Sequence, residues 1–129
     1  MTRKGLEKKL DEIVKKIVFA RDGQCVTCPI WKKIKEDFKG SDVMQPGHFF
    51  TRGAKSVKWD LRNVYQQCKT CNFLHEYHPD VLLQHVLKTI GQEEFESLTF
   101  KRHSAKPIKM YDLEELYKDL EKRLVSDFG

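Results

Sequence analysis

The chain has 129 residues, of which 40% are hydrophobic and 33% charged, with a formal net charge of +5 and a pI near 9.0. That length suits one domain, and two only if both were very small. No apolar run approaches membrane-spanning length, and the N-terminus Met1-Thr2-Arg3-Lys4-Gly5-Leu6-Glu7-Lys8-Lys9 lacks the apolar core of a signal peptide, so neither a membrane partner nor export is expected.

Leu6, Leu10, Ile13, Val14, Ile17 and Val18 recur at helical spacing with charges between them, which predicts an amphipathic helix over residues 4–21, ended by Asp22-Gly23. Residues 24–29 form a tight turn around Cys25 and Cys28. Ile30, Trp31, Ile34 and Phe38 have helical spacing, but Gly40-Ser41-Asp42 breaks it, so residues 30–45 read as a short helical or irregular insertion. Trp31 reads as a packing residue, with base stacking as the alternative. Residues 43–50 should be a strand carrying His48, residues 51–60 a basic loop, and residues 61–67 the returning strand carrying Asn63. A second cysteine turn, Cys68 to Cys71, leads into a helix.

Pro79 suits a first helical position, and a helix over 80–90 should be capped by Gly91. A short helix follows over 92–98, then a second basic loop over 99–109. The last helix, 112–125, is expected to start at Asp112 in a capping box with Glu115. Its stripe of Leu113, Leu116, Tyr117, Leu120 and Leu124 suits a core face, or a homodimer contact.

Cys25-x-x-Cys28 and Cys68-x-x-Cys71 are the strongest signal in the chain. Each pair spans one edge of a tetrahedron, and two pairs close it around zinc. In a reducing compartment such cysteines hold metal more often than they form disulfides. A purely structural zinc would make this a module that binds DNA, RNA or protein. Between Cys28 and Cys68, however, lie 39 residues, enough for a hairpin with a basic loop. The order of cysteine pair, histidine at a strand end, asparagine opening the return strand, cysteine pair and helix is that of a ββα-metal arrangement. Phosphodiester hydrolysis needs such parts: a base for water and a divalent cation for the phosphate charge. Basic charge concentrates in the two loops. Arg52, Lys55, Lys58, Arg62 and Lys69 lie in the first region against the single acid Asp60, and Lys101, Arg102, Lys106 and Lys109 lie in the second with no acid. That suits a phosphate backbone, or simply a solubilising surface.

Gly47-His48-Phe49-Phe50-Thr51-Arg52-Gly53, Trp59-Asp60-Leu61-Arg62-Asn63 and Gln67-Cys68-Lys69-Thr70-Cys71-Asn72, with Ile90-Gly91-Gln92-Glu93 and the closing acidic helix, resemble the lambdoid phage NinG (Rap) recombination-protein family. The likeness runs from about residue 20 to the end. It implies an HNH-like nuclease of phage origin in the bacterial host cytoplasm, acting on branched DNA such as Holliday junctions and D-loops. It further implies structural Zn²⁺ on Cys25, Cys28, Cys68 and Cys71, His48 as general base and Asn63 as the brace beneath it. Asn72, with His48, would hold catalytic Mg²⁺ or Mn²⁺. HNH nucleases usually carry an acidic or histidine ligand where this chain has Gly47. His48 itself, Asp42 or Glu76 could complete that set, Glu76 if it continues the helix of Asn72. His75 and His78 read as exposed side chains, with one of them replacing a cysteine at zinc or facing phosphate as the alternative.

The expected fold is therefore one α+β domain of treble-clef, ββα-metal type, with its core over 24–90 and helices wrapping both ends. The expected activity is metal-dependent endonuclease cleavage of branched DNA, with arginines and lysines from Arg52 to Arg102 as nucleic-acid contacts. The alternatives are a non-catalytic zinc module for DNA junctions or proteins, and an RNA-binding zinc ribbon that prefers single strands.

Overall fold

Helix α1 spans Arg3–Asp22, and every apolar position of its predicted stripe is buried. Thr2 caps its start by accepting from the Gly5 N–H, and Gly23 closes it at φ 74 in the left-handed region. The computed structural model describes residues 1–51, 53–104 and 106–128. The first cysteine turn opens directly into a short helix, α2 (Cys28–Ile34), and an irregular segment leads from it to strand β1 (Met44–His48). A single 3-10 turn at Lys55–Val57 precedes strand β2 (Val64–Cys68). The strands pair antiparallel, with Met44 opposite Cys68 and His48 opposite Val64. Helix α3 (Lys69–Leu74) follows without a break, then α4 (Pro79–His103) and α5 (Met110–Phe128).

Both strands are shorter than the hydrophobic pattern suggested. β2 is buried along its whole length because α1 covers one face and α4 the other. The alternating pleat assigns Val64 to the α1 side, where it packs with Trp59 and with Leu113 and Leu120 of α5. Tyr65 goes to the α4 side with Leu82 and Val86. Arg21 and Asp22 lock the end of α1 to β2: Arg21 donates to the Leu61 and Val64 carbonyls, and Asp22 accepts from the Gln66 N–H at 2.8 Å.

Two expectations about the C-terminal half need correction. The helix after Gly91 does not stop at Leu98 but continues to His103. Gly91, at φ 82, divides α4 into two helical halves. The first part of the expected basic loop, 99–103, is helical because Lys101 bonds Asp60 and the Arg102 guanidinium lies 5.3 Å from the Phe50 ring centre, so tertiary partners hold the last turn, while residues 104 and 106–109 are non-helical as expected. Helix α5 starts at Met110 rather than Asp112. Asp112 accepts from the Lys109 N–H at 3.0 Å, so it is the inner, back-reaching member of a cap and not the cap residue. Among the described residues no helix is long and apolar enough to cross a membrane.

Candidate metal centre and adjoining cleft

The antiparallel register puts Cys68 at the end of β2, and α3 lifts Cys71 one turn above it. The tight turn after α1 brings Cys25 and Cys28 to meet them. All four sulfurs lie within 4.8 Å of one another. Cys28 Sγ is 3.7 Å from both Cys68 Sγ and Cys71 Sγ. Zinc–sulfur bonds of about 2.3 Å in a tetrahedron set sulfurs about 3.8 Å apart, so this cluster could hold a zinc ion with little rearrangement.

The surroundings are fitted to sulfur. The Cys71 N–H points at Cys68 Sγ at 3.4 Å, and the Thr27 hydroxyl lies 3.6 Å from Cys25 Sγ. Gly40 closes over the cluster; a Cβ there would come 2.7 Å from Cys28 Sγ and 3.0 Å from Cys68 Sγ. Without a cation the thiols compete for one negative charge. Hydrogen bonding from Cys71 holds the Cys25 thiol down to about 4 against its burial, while burial and the Cys25 charge push Cys28 up to about 12. Cys71 is raised by its bond to Cys25 and by burial. A divalent cation removes that conflict by binding all four as thiolates.

His48 closes β1 and faces a cavity of about 370 Å³ lined also by Pro46, Phe50, Lys55, Lys58 and Asn72. Its Nε2 is 3.1 Å from the Lys58 carbonyl. A carbonyl only accepts, so Nε2 carries the proton and Nδ1 is the basic nitrogen. Burial lowers the His48 pKa below its usual value, against a partial rise from that bond, so the ring is neutral at neutral pH.

Asn63 is fully buried just ahead of β2. Its Oδ1 accepts from the Phe50 N–H at 2.8 Å, and its Nδ2 donates to the Phe50 and Val57 carbonyls. These bonds hold Phe50 and Val57, the latter directly before the carbonyl of Lys58. Asn63→Ala is expected to lose about 3 kcal/mol of stability, since it strands buried backbone groups; urea unfolding measures it.

Asn72 lies on α3, where its Nδ2 donates to Gln45 Oε1 at 2.9 Å, and among the described residues its Oδ1 makes no hydrogen bond. The candidates for completing a second cation site do not join it. Glu76 is not on the helix of Asn72, because α3 ends at Leu74 and the next residues form a turn. Asp42 is exposed in the bend before β1, and neither residue lines the His48 cavity. Among the described residues the four cysteines are the one cluster of three or more Cys, His or carboxylate ligands.

Gly47 has a local explanation. It lies on the face of β1 that meets Gln67, the residue diagonally across the sheet. A Cβ at 47 would overlap Gln67 Oε1 and come 2.9 Å from its Cδ. Gln67 is buried, its Nε2 donates to Thr27 Oγ1 at 3.0 Å, and its Oε1 has no conventional partner. The Gln67 side chain thus runs from the cysteine turn to the backbone of Gly47, and Oε1 is placed for a weak Cα–H···O contact. Gly47→Ala is expected to cost about 1–3 kcal/mol by overpacking, and Gln67→Ala should recover part of that loss in a double-mutant cycle read by urea unfolding.

The basic residues divide into two groups. Lys55 and Lys58 line the His48 cavity while pairing with Glu7 at 3.5 Å and Asp11 at 3.6 Å on α1, and Lys69 is exposed at the start of α3. Arg62 is instead held by Asp60, Glu94 and Ser97, and Lys101 by Asp60. Burial pushes the Asp60 carboxyl up, but Arg62 and Lys101 outweigh it and hold it down to about 2. Arg52 lies outside the described residues. His75 is buried, not exposed: its Nε2 donates to the Phe49 carbonyl at 2.9 Å and ties α3 to the end of β1. His78 is exposed and meets the Trp31 ring edge-on at 5.3 Å; Trp31 also stacks on Phe38. Thr27, Gln67 and His75 were missed as site residues. The Gln66-Gln67 pair inside an otherwise buried strand was the available signal.

This arrangement defines a small α+β protein built around a four-cysteine candidate metal centre beside a histidine cleft. The family described as Bacteriophage Lambda NinG protein matches residues 1–126, so the match includes α1 as well as the motifs, and the chain belongs to that family. No curated protein and no solved structure gives a match.

Proposed function

We propose that this NinG-family protein is a metal-dependent endonuclease of treble-clef, ββα-metal type that cleaves branched DNA during phage recombination in the host cytoplasm. The observation that carries the reading is His48: a neutral imidazole, held in one tautomer by the Lys58 carbonyl so that Nδ1 is its basic nitrogen, on a side chain that lines one cavity with Lys55, Lys58 and Asn72. Nδ1 takes the proton of the attacking water, and Nε2–H stays on the carbonyl, so the ring cannot turn away as charge develops. Lys55 and Lys58 draw the phosphate into the cleft. Asn63 keeps the carbonyl in place by holding Val57 directly before it. A divalent cation on the Asn72 Oδ1 would offset charge on the scissile phosphate, and DNA oxygens would supply much of its coordination, as is usual for Mg²⁺. The cysteine cluster with zinc forms the frame.

The zinc-loaded protein, incubated with a synthetic four-way junction and Mg²⁺ or Mn²⁺, is expected to cut it. Asn72→Ala should shift the cation concentration for half-maximal cutting upward by about tenfold. A second reading has its own support. Among the described residues the cavity that His48 shares with Asn72 has no carboxylate in its lining, Asp11 lies in the adjoining hollow beside His48 and is paired with Lys58, and the cysteines are the one ligand cluster. A non-catalytic junction-binding zinc module fits those facts. Failure of well-folded wild type to cut any branched substrate with either cation would decide for it.

A further inference from the structure

The His48 cavity does not end at Lys55. It shares Gly53 and Lys55 with a second hollow of about 460 Å³, lined by Arg3, Arg102, His103 and Lys106. That hollow in turn shares Lys55, Ser56, Ser104, Lys106, Pro107 and Ile108 with a groove of about 1010 Å³ between α4 and α5. The three hollows thus adjoin one another in a row that starts at His48.

The groove has a two-part chemistry. Its apolar floor is formed by the half-buried Leu61, Ile90, Ile108 and Leu116, over the core side chains of Leu113 and Leu120. Its lining residues include seven Lys or Arg and three Asp. Arg21, Lys55, Arg62, Lys101 and Arg123 are each paired with an acid, so Lys106 and Lys109 are the cations of this lining with no ion pair among the described residues, and the adjoining hollow adds Arg3 and Arg102 with no acid in its lining. Lys106 and Lys109 are exposed on the segment between the helices and belong to this rim. A duplex keeps its bases stacked inside and offers nothing to an apolar floor. A single strand offers both parts at once: unstacked base faces for the floor and phosphates for the rim.

We propose that the groove between α4 and α5 binds a single-stranded DNA segment, the unpaired arm of the strand held at His48. Its connection to His48 rests on the nuclease reading; the binding itself does not. Lys106 and Lys109 hold the phosphates, and the apolar floor takes the bases. A branched substrate with an unpaired arm, such as a D-loop, would then fill both ends, whereas a fully paired four-way junction would fill the His48 end alone.

The test is fluorescence anisotropy of the zinc-loaded protein with a short fluorescein-labelled oligothymidylate and, separately, a blunt duplex. No further divalent cation is added, so a protein that never cuts DNA still gives an answer. Lys106→Glu/Lys109→Glu is expected to weaken oligothymidylate binding about tenfold and to lower the salt slope by about 1.4, two phosphate contacts at about 0.7 each. Lys32→Glu/Lys33→Glu on α2 makes the same change in net charge away from the groove and should change that affinity less than twofold, on the order of a bulk-charge effect. Unaltered thermal melting confirms that both variants are folded. Equal loss in the two variants, or equal loss for duplex and single strand, would overturn the proposal. So would unchanged oligothymidylate binding in the groove variant, a result that would leave the groove to a protein partner.

Discussion

Cys68→Ser is expected to unfold the centre of the protein and abolish zinc retention. Cys68 is fully buried, and it joins the structure at three points. It pairs across the sheet with Met44, caps α3 by accepting from the Cys71 N–H, and lies 3.7 Å from Cys28 Sγ. Zinc binding supplies on the order of 10 kcal/mol of folding free energy in small zinc domains, comparable to the whole stability of a typical domain. The apolar packing around the four cysteines is thin: among the described residues their hydrophobic cluster adds the partly buried Trp31, Phe38 and Met44. Circular dichroism and zinc analysis of the purified variant are the measurements. The α1–α5 layer has its own apolar cluster, so residual helix signal is expected while tertiary protection of β1 and β2 is lost. A Cys68→Ser protein with native melting and no zinc would show that zinc does not hold the fold, and a wild type that retains no zinc would show that the cluster is not a zinc centre.

His48→Ala should lower the rate of DNA cleavage by about 10²–10⁴, the range supplied by a positioned general base, with junction affinity little changed. The pH profile adds a sign. The working form is neutral His48, and its pKa lies below the ordinary histidine value because of burial. Activity should therefore be full at neutral pH and fall only in acid, below the pH at which an exposed histidine would titrate. Stability follows the same direction. The unfolded state binds the His48 proton at a higher pH than the folded state does, so this residue's contribution is present above the ordinary histidine pKa. It is lost as pH falls through the lowered folded value. His48→Gln should remove the rate effect of acid while keeping most of the packing.

Much of this was readable in the residues. The cysteine pairs announce their centre by spacing, because a tetrahedron fixes what two Cys-x-x-Cys turns can do. α1 was legible to within a residue or so, since an amphipathic stripe over five turns overrides local noise. The misses have specific causes. The end of α4 carries Lys101, Arg102 and His103, a composition that reads as loop; its helix is held by Asp60 and Phe50, more than forty residues earlier in the chain. His75 looked like a surface histidine, yet a carbonyl at the end of β1 claims it. Gly47 looked like a missing ligand. Its cause, the Gln67 side chain, lies across the sheet and becomes visible only when the register is known. Sequence patterns report periodic burial well and report single cross-strand contacts poorly, and the candidate site depends on the second kind.

The most direct test of the nuclease reading is single-turnover cleavage of a labelled four-way junction by zinc-loaded wild type and His48→Ala at saturating Mn²⁺. Cleavage by wild type, with a rate at least about a hundredfold lower in His48→Ala at equal junction binding, is the expected result. Equal rates for the two proteins would contradict it.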